Sequence, residues 1–179
     1  MSEPSSLYAR LTFDPDAFES FLRSAPARPA AFGDWQAWFD RHAMAGGNRV
    51  PESILADLDA ERVSQVLDGW RQDARAGMPP VDYDAATGVC RIAMLQASEN
   101  FHEMLRLLAP LRGASAWNRP DADDFIVILD FLWGGGETVS AYVSLRDGES
   151  RMPDDVPDAH RDEAIRCLEG VLAGFEQQD

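Results

Sequence analysis

The stretch that decides the fold is Phe125–Arg146, FIVILDFLWGGGETVSAYVSLR. Residues 125–133 are apolar except for Asp130, whereas Glu137–Arg146 alternates Val139, Ala141, Val143 and Leu145 against Thr138, Ser140, Tyr142 and Ser144. A continuous apolar run, a Gly134-Gly135-Gly136 break and a period-two run read as an antiparallel hairpin with strands 125–133 and 137–146. The first strand is expected to be buried on both faces and the second to be exposed on one.

Upstream, Val81–Leu95 carries two further strands around a turn at Gly88, and Leu7–Phe13 alternates as a short strand. Asp14-Pro15 reads as a helix cap and first turn, with Phe13 and Phe18 spaced as a hydrophobic staple, and the helix reaches about Ser24. Asp34 is positioned to cap a helix bearing Trp35, Trp38 and Phe39, which Gly46-Gly47 ends. Pro51 and Asp59 open further helical segments, the longer placing Val63, Val66, Leu67 and Trp70 at core spacing before Gly77 and Pro79-Pro80. Another helix spans about 99–109, capped by Ser98 or Asn100 and stopped by Pro110 and Gly113. After a loop at 147–157, Ile165, Leu168, Leu172 and Phe175 line one face of a last helix, about 158–176. The expected architecture is one α+β domain over 1–179, with a helical part at about 14–77 and a strand-rich part at about 81–146. Its antiparallel sheet of about four strands, mostly from the C-terminal half, packs against the N-terminal helices and the C-terminal helix.

Composition narrows the chemistry. The 179 residues carry a net charge of -15, and all 16 basic residues are arginine. Without lysine, a Walker A loop, a kinase β3 lysine, a Schiff base and a Ser-x-x-Lys site are excluded. Such an acidic chain repels nucleic-acid phosphate and anionic lipid, so neither is an expected partner; a basic protein is. MSEPSSLYAR lacks the pattern of a signal peptide and no stretch reaches membrane-span length, which leads to an expectation of cytoplasmic residence. Cys90 and Cys167, far apart, are expected to be buried free thiols.

No cofactor or metal motif survives inspection. Asp82-x-Asp84 departs from a calcium loop and reads as a turn, and His102-Glu103 lacks the second histidine of a zincin because position 106 is arginine. Gly134-Gly135-Gly136 joins two strands and does not open a helix, so turn geometry accounts for it better than phosphate binding. Asp130 interrupts an apolar run, where a carboxylate is costly unless it has an arginine partner or an edge position. Asp130 and His102 are the residues an enzyme or metal-binding reading would use.

Hairpin geometry brings residue 124 near residue 146, so Asp121, Asp123 and Asp124 are expected to converge with Asp147, Glu149, Asp154 and Asp155. Trp117, in a polar loop, would serve as an apolar anchor beside them. The favoured function is an acidic, non-catalytic binding protein that occludes a basic protein partner, in the manner of bacterial immunity or antitoxin proteins. The similarity to those proteins is one of size, charge and missing active site; no motif is shared. The remaining alternative is a structural or regulatory module whose acidity is incidental.

Overall fold

The computed structural model describes residues 3–42, 49–50, 60–72 and 81–176. Six strands form one wholly antiparallel sheet in the order β2-β3-β1-β4-β5-β6. They are β1 (Ser5–Thr12), β2 (Val81–Asp84), β3 (Val89–Ser98), β4 (Asp124–Leu129), β5 (Val139–Arg146) and β6 (Glu149–Arg151). The helices among the described residues are α1 (Pro15–Arg23), α2 (Trp35–Arg41), α3 (Val63–Gln72), α4 (Phe101–Arg112), the single turn α5 (Phe131–Gly134) and α6 (Asp158–Glu176). None is long and apolar enough to cross a membrane.

The α+β class stands, but the sheet has six strands, not about four. β1, expected as a short strand, lies in the middle of the sheet, between β3 and β4. Its alternation serves two cores, which is why it can sit there: Leu7, Ala9 and Leu11 point to one face and Tyr8 to the other, all with no exposed surface. The strand outside the expected set, β6, forms within the expected 147–157 loop. Asp147 and Gly148 have φ of 53° and 75°, the paired left-handed conformation of a tight hairpin, so β5 turns directly back through them.

On the first face, Leu7, Ile92, Ile126 and Val143 pack under Phe21, Trp38, Leu67 and Leu108 from α1 to α4. Trp38 donates its indole N–H to the Ser140 carbonyl at 2.8 Å, fastening α2 to β5. On the second face, Tyr8, Leu95, Val127 and Leu129 meet Ala164 and Leu168 of α6, with Ile165, Leu172 and Phe175 beside them. Cys90 is buried in the first core and Cys167 is half-buried in the second; burial pushes both thiols up, that of Cys90 to about 12.

Several local expectations change. β4 is buried on both faces as expected but ends at Leu129, and α5 occupies the connection where the strand was expected to continue to 133. β5 is less exposed than expected, because Tyr142 is covered by His160. Asn100 caps α4 by accepting from the Glu103 N–H, and Pro110 lies inside the helix, which runs on to Arg112. The Phe13–Phe18 staple forms, with ring centroids 5.4 Å apart, but neither Asp14 nor Asp34 caps a helix through its side chain. Both carboxylates instead bind arginines, Asp14 to Arg119 and Asp34 to Arg112. The signals at Gly46-Gly47, Pro51, Asp59, Gly77 and Pro79-Pro80 lie outside the described residues.

The Asp34–Arg112 pair joins the layers. Arg112 is 1% exposed; its Nη1 and Nη2 donate to the two Asp34 oxygens at 2.8 and 2.9 Å, and its Nε donates to Ser150 Oγ at 2.6 Å. The Phe32 and Trp35 rings lie 4.1 and 4.5 Å from the guanidinium carbon. Removing one member of such a pair strands a buried charge, whereas replacing both with apolar groups does not. Asp34→Ala is expected to cost about 3 kcal/mol in urea unfolding, and Arg112→Met added to it to recover much of that loss. Additive losses in the double variant would show that the pair is not coupled.

Candidate functional site

The expected acidic end is built by three segments that meet beyond β4 and β5. The chain from Gly113 to Asp123 runs beside the β5–β6 turn, where the Asp147 N–H donates to the Pro120 carbonyl at 3.2 Å. Arg119 N–H donates to the Thr12 carbonyl at 2.8 Å, tying the same loop to the end of β1. The start of α6 closes the third side, since His160 touches Asp123.

Of the residues expected to bind a partner, Asp124 is removed from the surface. It has no exposed area, because it is the first residue of a strand buried on both sides. Its carboxylate accepts from Thr12 N–H, Thr12 Oγ1 and Asn118 Nδ2, each at 2.8 Å. Asp124 is therefore the bond that holds the 118–123 loop onto β1, not a docking residue. Burial pushes its carboxyl above the ordinary value of 3.8, and the bonds from Asn118 and Thr12 offset this only in part.

Asp123 is half exposed and belongs to a chain of side chains. Its Oδ2 meets His160 Nε2 at 2.9 Å, His160 Nδ1 meets the Tyr142 hydroxyl at 2.8 Å, and its Oδ1 accepts from Arg146 Nε at 3.0 Å. His160 lies flat on Phe125, with centroids 4.0 Å apart and planes 3° from parallel. Desolvation opposes ionisation of Asp123, but the bonds from His160 and Arg146 win and hold its carboxyl below the usual range. Chemically the chain has the order carboxylate, imidazole, hydroxyl that activates nucleophiles. Burial pushes the Tyr142 hydroxyl up to about 12, the residue is 6% exposed, and its bond to His160 ties α6 to the sheet. Beside it, Glu163 accepts from both Tyr8 and Arg10, and Arg10 also lies 5.1 Å over the Phe125 ring.

The other expected residues divide by their neighbours. Glu149 pairs with Arg151, and Asp154 pairs with Arg41 at 2.8 Å. Asp121, Asp147 and Asp155 are exposed, and none has an ion-pair partner among the described residues. Trp117 is 38% exposed at the end of the 113–116 turn, where it forms one wall of a shallow groove with Phe21, Phe32 and Val63. The end is more mixed in charge than expected. A second shallow groove sets Arg10, Arg91 and Arg119 against Asp121 and Asp123. The alternation of β1 and β3, which puts Arg10 opposite Arg91 on the α6 face, was the available signal for this mixture.

Asp130, expected to need an arginine or an edge, has no arginine partner among the described residues and follows the interior strand β4: its Oδ1 accepts the Thr138 N–H at 2.9 Å and its other oxygen lies where a side chain on Gly134 would be. It fastens the α5 connection at the end of β4. Trp133, expected in a buried strand, is 60% exposed on α5. His102 stands at the exposed start of α4 with its ring edge-on to Phe101. Asp82-x-Asp84, read as a turn, lies instead in β2, and Asp84 at its end accepts from Ala86 N–H and Thr87 Oγ1 in the turn that follows. Among the described residues, no three histidine, cysteine or acidic side chains stand together as a metal site.

Because Asp124 satisfies three donors at once, Asp124→Ala is expected to destabilise the protein by about 3 kcal/mol at neutral pH. The folded chain holds its proton to higher pH than the unfolded chain, so this group's contribution is greatest below the unfolded value and falls as pH rises through the folded one. The stability gap between the parent protein and Asp124→Ala should therefore widen as pH falls from neutral toward the unfolded value of 3.8, measured by urea unfolding. A gap that narrows on acidification would mean that Thr12 and Asn118 hold the carboxyl fully ionised. Comparison of the chain with protein-family models, curated proteins and solved structures found no match.

Proposed function

We propose that this chain is an acidic, non-catalytic binding protein that occludes a basic protein partner, as bacterial immunity and antitoxin proteins occlude their toxins. The observation that carries the reading is how the charge is distributed. Nine arginines, Arg10, Arg23, Arg41, Arg71, Arg112, Arg119, Arg146, Arg151 and Arg161, are each matched to a carboxylate among the described residues. The net charge of -15 is the excess of the remaining carboxylates over the seven other arginines. Asp16, Asp121, Asp147, Asp155, Asp162 and Glu169 are exposed, with no ion pair among the described residues. A surface of this kind accelerates encounter with a cationic partner through long-range attraction, and salt screens it within about 10 Å at 0.1 M.

Within that surface, the 113–123 loop and the β5–β6 turn are the favoured docking end. They combine the unmatched Asp121 and Asp147 with Trp117, a large apolar side chain of the type that anchors interfaces. The exposed Trp133 belongs to a different connection, between β4 and β5.

Capture from the source lysate at low salt should recover a basic protein, and its association rate should fall steeply as ionic strength rises. Asp121→Arg combined with Asp147→Arg should slow association roughly tenfold with little change in dissociation, whereas Trp117→Ala should mainly speed dissociation. Recovery of only neutral or acidic partners, or rates indifferent to salt, would overturn the reading. Unchanged kinetics in the folded variants would move the docking face away from this end.

A further inference from the structure

The Ser5 end of β1 lies about 20 Å from the docking loops, given the rise of a strand of this length. There, Pro4, the last residues of β3 and the first turns of α4 enclose an open cleft of about 310 Å³. Its apolar surface comes from Trp70 on α3, Met94 on β3 and Leu107 on α4, elements that the hydrophobic core already fixes in place.

One polar group in the lining is unexplained by the fold. Ser98 is 3% exposed, and its hydroxyl has no hydrogen-bond partner among the described residues. Ser6, which follows the cross-strand partner Ser5 and is also buried, donates to the Leu95 carbonyl at 2.5 Å, so the fold can satisfy a serine here and leaves this one unsatisfied. A buried hydroxyl without a partner costs about 1 to 3 kcal/mol, and a polar atom of a ligand removes that cost.

The charges beside Ser98 select the ligand. Glu99 is exposed at the mouth, and Glu103 uses one oxygen to accept the Glu99 N–H at 2.7 Å. Among the described lining residues Arg106 is the one cation, so carboxylates outnumber it two to one in a chain that is strongly acidic overall. The start of α4 does not reverse this preference, because the Glu99 and Glu103 amides already have acceptors in Glu103 and Asn100. An indole face such as that of Trp70 also favours a cation.

We propose that this cleft binds a small organic cation, an amine or guanidine on an apolar body. Its charge faces Glu99 and Glu103, its body lies against Trp70, Met94 and Leu107, and one of its polar hydrogens reaches the Ser98 hydroxyl. The site is independent of the docking end and of the function proposed for it.

The test is calorimetric titration of the full chain at low salt with phenethylamine, phenethyl alcohol and 3-phenylpropionate. The amine should bind with a dissociation constant on the order of 1 mM, as expected for a ligand of this size, the alcohol about tenfold more weakly and the anion not measurably. Glu99→Gln, at an exposed position, should weaken the amine about tenfold without affecting folding. Ser98→Ala should weaken it several-fold while leaving the melting temperature unchanged or higher, a combination that a structural serine would not give. Equal binding of the three probes, no amine binding at about 10 mM, or full affinity in the folded Glu99→Gln variant would overturn the proposal.

Discussion

The rest of the architecture depends on one buried cation. Arg112 ends α4 in the first core, yet its guanidinium reaches Asp34 before α2 and Ser150 in the edge strand β6, and Asp34 in turn accepts the Met152 N–H at 3.1 Å. A helix end, an interhelical loop and a sheet edge are thus held by a single group. The bidentate geometry and the flanking Phe32 and Trp35 rings make arginine, and not lysine, the residue that fits. Burial acts to lower its pKa and Asp34 acts to raise it, the balance that a paired interior charge requires. With this clamp in place, β6 can be three residues long and still be ordered.

The two faces of the sheet are held by different physics. The first is apolar from Leu7 to Leu145 and closes by area burial under four helices. The second is covered by α6, with Phe131 of α5 beside it, and its apolar centre is edged by polar bonds: Tyr8 and Arg10 to Glu163, Tyr142 to His160, and His160 to Asp123. Those bonds fix the position of α6, which Ala164 and Leu168 alone would leave free to slide. They also consume side chains that a reading by residue type would count as surface charge.

Much of the fold was legible because local periodicity and global packing agree. The β4–β5 pairing, the Phe13–Phe18 staple and the sheet-facing stripe of α6 follow from residue spacing that tertiary structure does not override. Failures fall where a residue has two uses. Asp14 and Asp34 have the form of helix caps, but a distant arginine offers each carboxylate a charged partner. Asp124 reads as one member of an acidic cluster, and only the return of the chain to Thr12 and Asn118 shows it to be an interior acceptor. The Asp147-Gly148 turn was readable in principle, since that dipeptide is a strong hairpin signal, but the strand after it is too short to show alternation. Of the docking end, the convergence of the loops followed from the hairpin, whereas the separation of matched from unmatched carboxylates needed side-chain positions.

The central place of β1 has a kinetic consequence. Tyr8 pairs with Ala93 on one side and Val127 on the other, so the strand made first must wait for partners made much later. Closing such loops costs chain entropy before any sheet contact repays it, and ordering of this kind slows folding. During synthesis the α1–α3 region can gather its helices, while Leu7, Ala9 and Leu11 remain without a sheet until β3 and β4 have left the ribosome. Nascent chains should therefore expose β1 as a sticky strand until β4 has emerged, and their yield in a cell should depend on whatever shields it.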